Sequence, residues 1–499
     1  MGQVSSIVAG ALLLVCGDSM GAAASNLSAI VLPVPALPGN AVKPYVRVSG
    51  RRIALSHVRV IDGTGGPVLS DQTVLIEDGK IVSVGSAAAV PADATVLDLS
   101  GHTVFPGLVG MHDHMYYIGR PNLDPSGHSD PPLMVPQMAF SSPRLYLANG
   151  VTTLRTTGSV EPYTDLNTKH LIDAGTIPGP HLDVTGPYLE GSNSPFIQMH
   201  QLMDAEDARR TVAFWADQGV TSFKAYMNIT RAELKAAIEE AHRRGLKVTG
   251  HLCAVSYPEA AALGIDDLEH GFFVNTQLDP GKVPDTCPAT AGTPTLLGMD
   301  PDGAQAADLI KTLVAHHVAI TSTLPVFEQG VPGHAPLWPG VMESLSPQAR
   351  EAYLYLRNLT NTMPAERGKE RVTEFQHDLA LERKFAEAGG LLLAGPDPTG
   401  NGGVLPGFGD LREVELLVEA GFDAAAAVKI ATYNGAYYLG LADRIGTLAA
   451  GKDADLVVVK GDPTHAITEI ENVEIVFKDG VGYDSAALVR SVRGRYGEY

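Results

Sequence analysis

The motif His112-Asp113-His114 is the stretch of the sequence with the clearest capacity for chemistry. It follows a strand-like run, and because side chains alternate between the two faces of a strand, both imidazoles can reach one metal ion. Further side chains that could bind a metal lie on or directly after later strand-like runs: Lys224, His251, His270 and Asp397. A single histidine is more often a surface residue or a hydrogen-bonded core residue, but this repeated placement indicates a metal site.

Lys224 lies within TSFKAYMNIT, residues 221–230, which has the pattern of a buried strand. Lysine is almost never fully buried without a partner, and the adjacent Phe223, Ala225 and Tyr226 offer no counter-charge. Either the ammonium group extends out of the end of the fold into solvent, or the side chain is a ligand in a charged site. The metal-competent residues on neighbouring runs favour the second explanation.

The elements that must position these residues are strands alternating with helices. The strand-like runs are TVFPGLVGMHDH, GVTTLRTTG, HLDVTGPYLEG, VTSFKAYM, LKVTGHLC, IDDLEHGFF, VAITSTLPVF and LLLAGPDPTG. Such alternation predicts parallel β/α units, and this number of units predicts an α/β fold of the (β/α)8 TIM-barrel type. Because the C-terminal ends of the strands meet at one face of such a barrel, the metal-competent side chains would converge there.

Two of the connections between the runs have clear patterns. Thr230 and Glu233 form a possible capping box at the start of a helix, and Gly245 stands where that helix should end. Residues 326–371 contain EQGVPGHAPLWPG, and this proline and glycine content predicts a long irregular loop at the barrel mouth, which is a candidate lid.

The two ends of the chain have short β-rich runs separated by Gly and Asp turns. This pattern occupies residues 52–105 and 443–499, which predicts that both segments combine into one small β-sandwich domain beside the barrel of residues 106–442. Residues 25–51 are assigned to an N-terminal extension.

Residues 1–24 resemble a secretory signal peptide, which predicts a periplasmic or secreted protein. An apolar run at residues 7–16, too short to cross a bilayer, precedes a small-residue stretch, with cleavage expected after Ala24. The usual positive charge is missing from residues 1–15. The alternatives are a lipoprotein anchored at Cys16, disfavoured by the bulky Val15, N-myristoylation of MGQVSS, and a buried apolar helix.

Composition disfavours several classes of function. With 36 basic against 56 acidic side chains and a net charge of -20, the chain is a poor partner for nucleic acid, whose affinity comes from lysine and arginine. No other apolar run reaches the length of a membrane span. The cysteines, Cys16, Cys253 and Cys287, do not form a disulfide framework, and one bridge between the last two stays open.

Several motifs resemble one known family. FPGLVGMHDH, GVTTLR, IPGPHLDVTGPYL, TSFKAYM, VTGHL, DDLEHG, LLAGPDP, LREVELLVEAGF, ATYNGAYYLGL and IGTLAAGKDADLVVVKGDP occur in this order. Together they resemble the metal-dependent amidohydrolase superfamily, in its imidazolonepropionase-like and prolidase-like (Xaa-Pro dipeptidase-type) branch. The resemblance covers residues 52–480 and implies a barrel flanked by a β-sandwich built from both chain ends.

The resemblance also implies a binuclear centre in which CO2 converts Lys224 to a carbamate that bridges two divalent ions. The other implied ligands are, for one ion, His112, His114 and Asp397 and, for the second, His251 and His270. Carboxylation turns a cation into an anionic oxygen ligand, and the ions supply the missing counter-charge. Zinc is the default for nitrogen-rich ligation, with manganese or cobalt as substitutes. Two ions about 3.5–4 Å apart can share a hydroxide at neutral pH.

Asp397 would act twice, as a ligand and as the base that takes the hydroxide proton and delivers it to the leaving nitrogen. A turn or helix-cap aspartate is the alternative. Tyr226 lies two residues beyond Lys224 and therefore on the same strand face. Its phenol could polarise the scissile carbonyl or hold a substrate carboxylate, as the resemblance implies, or it could pack in the core.

Two residues depart from the family pattern, since Gly110 and Thr156 stand where an aspartate is common. Neither position is a metal ligand, so the departures affect the surroundings of the centre and its substrate contacts. Cys253 is expected to be a structural thiol that lines the site, and His200 and His334 are weaker candidates.

These features together predict a binuclear metal-dependent hydrolase that cleaves the amide bond of a dipeptide or an N-acyl amino acid by attack of a metal-bridging hydroxide. The alternatives are a hydrolase of cyclic amides, lactones or ureas, a mononuclear imidazolone hydrolase or deaminase, and a noncatalytic binding protein. Mononuclear branches usually lack the bridging lysine, and the complete ligand set disfavours a binding protein. The expected partners are a small-molecule or dipeptide substrate and further copies of the chain in a homo-oligomer.

Overall fold

The computed structural model describes residues 30–86, 88–120, 123–129, 135–194 and 196–498. The predicted signal peptide of residues 1–24, the lipoprotein alternative at Cys16 and the MGQVSS pattern lie outside these residues. Within the described ranges, none of the helices is long and apolar enough to cross a membrane.

The strands belong to a sheet built from the two chain ends and to a barrel between them. In chain order they are β1 (Val46–Val48), β2 (Arg52–Val60), β3 (Leu69–Glu77), β4 (Lys80–Gly85), β5 (Thr95–Asp98), β6 (His102–Pro106), β7 (Leu108–Gly110), β8 (Val151–Arg155), β9 (His181–Asp183), β10 (Ser222–Ala225), β11 (Lys247–Gly250), β12 (Asp267–Glu269), β13 (Ala319–Ser322), β14 (Leu392–Ala394), β15 (Leu456–Lys460), β16 (Val473–Lys478) and β17 (Val481–Asp484).

Most of the helices connect the barrel strands. In chain order they are α1 (Ser142–Ala148), α2 (Pro162–Asp173), α3 (Ala205–Asp217), α4 (Arg231–Arg243), α5 (Tyr257–Leu263), α6 (Thr293–Gly298), α7 (Ala304–Ala315), α8 (Leu324–Glu328), α9 (Pro339–Ser344), α10 (Pro347–Asn361), α11 (Ala365–Glu387), α12 (Phe408–Glu419), α13 (Ala424–Lys429), α14 (Gly435–Tyr438) and α15 (Ser485–Val492).

Strands β7 to β14 are parallel and close into a barrel. Strands β7, β8 and β9 pair in order, as do β10 to β14. The two groups join where the Gly186 N–H donates to the Ser222 carbonyl at 2.9 Å, and where the Met111 N–H donates to the Ala394 carbonyl at 2.8 Å. The predicted (β/α)8 barrel is therefore confirmed, and its strands are buried on both faces as in other parallel sheets.

The predicted helix after the fourth barrel strand is α4. The Thr230 side chain accepts a hydrogen bond from the Glu233 N–H, and the Glu233 carboxylate accepts one from the Thr230 N–H, which completes the capping box. Gly245 follows the helix with a φ of 74°, in the left-handed region that glycine adopts most easily.

The two chain ends form one nine-stranded sheet in the order β1-β17-β16-β15-β6-β2-β3-β4, with β5 beside β2. The Ile81 N–H of β4 donates to the Lys452 carbonyl at 2.9 Å, so the far end of the sheet returns to the segment before β15. The sheet thus encloses its own apolar core, which includes Ile53, Val74 and Leu456. This confirms that the β-sandwich is built from both ends, while the exact domain boundaries stay predictions.

The prediction of an irregular lid at residues 326–371 is wrong for most of that segment. The end of α8, helices α9 and α10 and the start of α11 occupy most of it, and the longest irregular stretch is residues 329–338. Pro339 and Pro347 begin α9 and α10, where the missing N–H of proline costs no helical hydrogen bond. The prolines were evidence of helix starts and not of a continuous loop.

Candidate metal centre

The predicted ligands meet at one end of the barrel because each lies on or just after the C-terminal end of a strand. His112 and His114 follow β7, Lys224 lies in β10, and Asp397 follows β14. His251 follows β11 and His270 follows β12. The arrangement agrees with the sequence prediction that these residues share one face of the barrel. Their roles as metal ligands stay predictions.

Two of these residues have a backbone conformation that residues other than glycine rarely adopt. His270 has a φ of 73° and Asp397 a φ of 48°, both in the left-handed region. Such a conformation costs on the order of 1 kcal/mol or more and persists only where the surrounding structure holds it, most often at functional sites. Here it directs both side chains toward the centre of the barrel mouth.

His112, His114 and Asp397 form a compact group whose donor atoms all lie within 4.8 Å of one another. The Asp397 Oδ1 atom is 3.2 Å from His114 Nε2 and 3.8 Å from His112 Nε2. Burial would raise the pKa of Asp397, but the neighbouring His112 and His114, together with Lys224, hold it below its ordinary value. An ionised carboxylate beside two imidazoles is a donor set that suits a divalent metal.

Lys224 is 1% exposed, and its Nζ atom lies 3.0 Å from His112 Nε2. The ammonium group therefore does not extend into solvent, which removes the alternative of an exposed end. Burial is the largest effect on this amine and lowers its pKa to about 8. The counter-charges that its strand neighbours could not provide come from across the barrel, from Glu269 and Asp397.

His251 and His270 pack together with ring centroids 4.4 Å apart, and the His270 ring lies 4.5 Å from that of His112. His270 Nδ1 is 2.9 Å from the Thr323 hydroxyl, whereas its Nε2 is buried without a hydrogen-bond partner in the described part of the chain. A buried ring nitrogen without a partner is costly unless a ligand uses it. Burial and Lys224 lower the pKa of His251 to about 3, which keeps its imidazole in the neutral form that binds metals.

Glu269 contacts the candidate centre and was not predicted from the sequence. Its Oε2 lies 2.6 Å from His112 Nδ1, and its Oε1 accepts a hydrogen bond from Arg155 at 2.9 Å. Arg155 also binds Asp267 at 2.7 Å, so a fully buried charged network supports the imidazole. The motif DDLEHG contained evidence for this network. Asp267 and Glu269 are two residues apart in a buried strand, so their side chains share one face, and like Lys224 they are charged residues within a buried strand.

The departure at Gly110 has a structural reason. A Cβ atom at this position would lie 1.7 Å from the Asp113 carboxylate and 3.0 Å from that of Asp410. The space beside the histidine pair is therefore already filled by Asp113, whose pKa burial raises well above its ordinary value. Thr156, the second departure, accepts a hydrogen bond from the Thr185 N–H at 3.0 Å.

An aromatic wall borders the centre on one side. Tyr226 packs against His251 and Tyr188 with ring centroids 4.9 Å apart in both cases. The Tyr188 and Tyr116 hydroxyls lie 2.6 Å apart, and the Tyr116 ring stacks on His114 at 4.5 Å. Burial raises the pKa of Tyr226, so its phenol stays protonated and can donate a hydrogen bond.

The weaker candidates have structural partners. Cys253 is not a free thiol as the sequence suggested, because it forms a disulfide with Cys287. The fold brings the two residues together, since they are 34 positions apart in sequence but have Cα atoms 4.8 Å apart, a distance that a disulfide can span. His200 lies 2.9 Å from Asp207, and His334 is held between two glutamates.

A second group of metal-competent side chains, His181, Asp455 and Asp479, lies at the opposite end of the barrel from the first. His181 Nε2 is 3.3 Å from an Asp479 oxygen, and Lys478 Nζ is 3.6 Å from the same carboxylate. The lysine already supplies a positive charge, so we interpret this group as an ion-pair network.

Comparison with known proteins supports a family assignment. A profile of the amidohydrolase family matches residues 103–481 of the chain. The enamidase of Eubacterium barkeri is 24% identical over 435 residues, which cover 83% of this chain and 90% of the enamidase. The imidazolonepropionase of Mycolicibacterium smegmatis is 44% identical over 52 residues, 10% of this chain and 13% of that enzyme, so this match spans a small part of the relative.

The solved structure of a Xaa-Pro dipeptidase has the same fold, with a TM-score of 0.62 and 20% identity over 87% of this chain and 100% of the dipeptidase chain. The resemblance predicted from the sequence motifs is thereby confirmed. Because the family profile covers most of the chain, the chain belongs to the amidohydrolase family.

Proposed function

We propose that this protein hydrolyses an amide bond in a dipeptide or an N-acyl amino acid with the help of two divalent metal ions. The observation that carries the proposal is the buried Lys224, whose Nζ lies 3.0 Å from His112 Nε2 among further metal-competent side chains. Mononuclear imidazolone hydrolases and deaminases usually lack a lysine at this position, which makes that class the weaker candidate.

The proposed ligands divide into two sets. One ion would be held by His112, His114 and Asp397, the other by His251 and His270, with carboxylated Lys224 contributing to both. The Nε2 of His270, which has no hydrogen-bond partner among the residues that the structure describes, and the neutral state of His251 suit this assignment. Bound divalent ions, of which zinc fits nitrogen-rich ligation best, would supply Lewis acidity and an activated water.

Residues of the chain itself would transfer the protons and donate a hydrogen bond to the substrate carbonyl. Asp397 is positioned to accept a proton from the attacking water and to pass it to the leaving nitrogen. The Thr399 hydroxyl donates to Asp397 Oδ1 at 3.0 Å and fixes the orientation of the carboxylate. Tyr226 stays protonated and could donate a hydrogen bond to the scissile carbonyl oxygen as negative charge develops there.

We further propose that the protein works outside the cytoplasm. The predicted signal peptide is one argument, and the disulfide between Cys253 and Cys287 is another, because disulfides persist mainly in oxidising compartments. The homo-oligomer expected from the sequence stays a prediction.

The test combines metal analysis with a substrate panel. Zinc-loaded protein would be assayed against dipeptides and N-acyl amino acids, with lactones, cyclic amides and ureas as controls, while metal per chain is measured by mass spectrometry. We expect two ions per chain and cleavage of the first group. Cleavage confined to the controls would contradict the amide-bond assignment, and one ion per chain with an unmodified lysine would favour the mononuclear class.

Lys224→Ala provides the matched variant. We expect it to lose metal and activity, with partial recovery when a short carboxylic acid such as propionate replaces the missing ligand. Lys247→Ala is the control, because Lys247 is also a strand lysine but is only half-buried and begins β11 at the opposite end of the barrel, over the Tyr438 ring. Equal metal loss in both variants would mean that Lys224 acts only through stability.

A further inference from the structure

Glu190 is a buried carboxylate at the border of the candidate metal centre that has no part in the proposed mechanism. Its side chain is 0% exposed, and its Oε1 accepts hydrogen bonds from the Gly191 and Asn228 N–H groups, both at 2.8 Å. Its Oε2 is buried without a hydrogen-bond partner among the residues that the structure describes. In the same part of the chain, no lysine, arginine or histidine forms an ion pair with it.

The register of the barrel strands shows which way Glu190 faces. Leu189 pairs in parallel with Ala225. The Leu189 N–H donates to the Lys224 carbonyl at 2.9 Å, and the Tyr226 N–H donates to the Leu189 carbonyl at 3.0 Å. Because side chains alternate along a strand, Glu190 lies on the face opposite to Leu189, which is the inner face of the barrel. There it is the direct neighbour of Tyr226 on the adjacent strand, about 5 Å away.

Two contacts agree with this orientation. Tyr188, two residues before Glu190 and therefore on the same face, packs against Tyr226 with ring centroids 4.9 Å apart. The charge of Glu190 also acts on the Tyr226 hydroxyl, whose pKa is raised by burial, by Asp397 and by Glu190. Since the Tyr226 ring lies 4.9 Å from that of His251, Glu190 is separated from a candidate metal ligand by a single side chain.

The backbone around Glu190 fixes the position of its carboxylate. A Cβ atom at Gly191 would lie 2.0 Å from the Asn228 carbonyl oxygen, so glycine allows the two chain segments to approach and to hold Oε1 between their N–H groups. Burial raises the pKa of Glu190 to about 7, against the opposing effect of these hydrogen bonds. Keeping an anion in this place costs free energy, and a bound cation would offset that cost.

The surroundings of the carboxylate suit an ammonium group. The aromatic wall lies beside it, and the faces of aromatic rings attract cations. Phe196 and Met199, from the segment that follows Glu190, pack against the same wall and cover it. In such a water-poor place, a hydrogen bond between an ammonium group and a carboxylate is stronger than in solvent.

We propose that Glu190 binds the free ammonium group of the residue on the acyl side of the scissile bond, so that dipeptides and not N-acyl amino acids are the substrates. This rests on the proposed function and selects one of the two substrate classes named there. In a dipeptide, one carbon separates the ammonium nitrogen from the scissile carbonyl, whose oxygen is about 3 Å away. Hydrogen bonds of about 2.8 Å at both ends let one residue bridge Tyr226 and Glu190.

Asp165 provides a matched control for the loss of a buried charge. It is buried near the same end of the barrel, after β8, and burial raises its pKa to about 7, as for Glu190. Both of its oxygens accept hydrogen bonds, one from Gln137 and one from Ser159. Asp165 therefore has the charge and the burial of Glu190 but no oxygen left for a substrate.

The test compares alanyl dipeptides with the matching N-propanoyl amino acids, which keep the scissile bond and have hydrogen in place of the ammonium group. For the zinc-loaded wild type we expect kcat/KM to be about 10- to 100-fold higher for the dipeptide, because charge-assisted hydrogen bonds are about that strong. Glu190→Gln keeps an oxygen for the Gly191 and Asn228 N–H groups and removes the charge, so this ratio should fall to about 1. Asp165→Asn should keep the wild-type ratio.

Two outcomes of the kinetics would overturn the proposal. One is a wild-type ratio in Glu190→Gln, and the other is an equal loss on both substrates in that variant, which would indicate a structural role. Cleavage by the wild type without preference for the dipeptide also contradicts it, although the proposed function would then stand.

Calorimetric titration with the same compounds separates this proposal from the proposed function. If the panel is not cleaved, tighter binding of the dipeptide than of the propanoyl compound to the wild type, with the difference lost in Glu190→Gln, still supports the ammonium site. Equal binding of the two compounds to the wild type, or binding of neither, contradicts it.

Discussion

Glu269 is predicted to set the strength of metal binding through its hydrogen bond to His112. A carboxylate only accepts hydrogen bonds, so the 2.6 Å contact between Glu269 Oε2 and His112 Nδ1 requires the proton on Nδ1. The lone pair of His112 is thereby directed to Nε2, the atom that faces Asp397 and Lys224. The carboxylate fixes both the tautomer and the ring orientation that a metal ligand needs.

The perturbation that isolates this effect is Glu269→Gln, which keeps the side-chain size and replaces an anionic acceptor by a neutral amide. Mutation of a residue that hydrogen-bonds a metal-binding histidine typically lowers metal affinity about 10- to 100-fold, which corresponds to about 1.4–2.7 kcal/mol. Arg155 loses one partner but retains Asp267 at 2.7 Å. The loss of folding free energy should therefore stay below the roughly 3–5 kcal/mol that follows when a buried charge loses its only partner.

The assay is a competition titration of metal-free protein with zinc and a chromophoric chelator, accompanied by chemical denaturation of the same samples. Asp267→Asn is the matched control, because Asp267 binds Arg155 in the same network but does not touch His112. We expect weaker zinc binding only in Glu269→Gln. Wild-type affinity in that variant, or an equal loss in Asp267→Asn, would refute the reasoning.

Two further predictions concern features outside the centre. Replacing both Cys253 and Cys287 by serine should lower the free energy of unfolding by about 2–4 kcal/mol, since the bridge closes a loop of 34 residues, and dithiothreitol should destabilise the wild type but not the variant. His334 donates to Glu328 at 2.7 Å, and this bond above all raises the pKa of His334 from 6.5 to about 9. Its stabilising effect is complete below pH 6.5 and is lost as the pH rises through 9. With allowance for its partial exposure, stability should fall by about 1 kcal/mol over that range, measured by urea unfolding, and His334→Gln should abolish this part of the pH dependence.

The barrel could be predicted because its information is local. A run such as TSFKAYM is apolar, short and followed by a helix with its own start and stop signals, which are Thr230 and Gly245 for α4. Parallel strands connected in this way have few possible arrangements, so the convergence of the strand ends follows without knowledge of any contact. The histidines of the candidate centre could be found for the same reason.

What could not be predicted depends on contacts between distant residues. Glu269 and Asp267 are ordinary acidic residues in the sequence, and only the fold brings them to Arg155, more than 110 positions away. The disulfide partner of Cys253 is likewise determined by the course of the loop after β12. Prolines misled the assignment of residues 326–371, because the same residue type begins a helix and interrupts one.

The state of Lys224 and the number of bound ions are one property of the site. Lys224 Nζ lies 3.0 Å from His112 Nε2, and a metal ion bound by that nitrogen would lie about 2 Å from it, hence within about 5 Å of the lysine. At that distance an ammonium group and a divalent ion repel each other by on the order of 6 kcal/mol even at an effective dielectric constant of about 20. The protonated lysine and the ion therefore exclude each other.

A neutral amine removes the repulsion but has one lone pair and can bind one ion, whereas a carbamate has two oxygens and can bind both. We therefore expect a preparation with two ions per chain to contain a carboxylated Lys224, and two ions beside an unmodified lysine would contradict this expectation and show that the ligands are other residues.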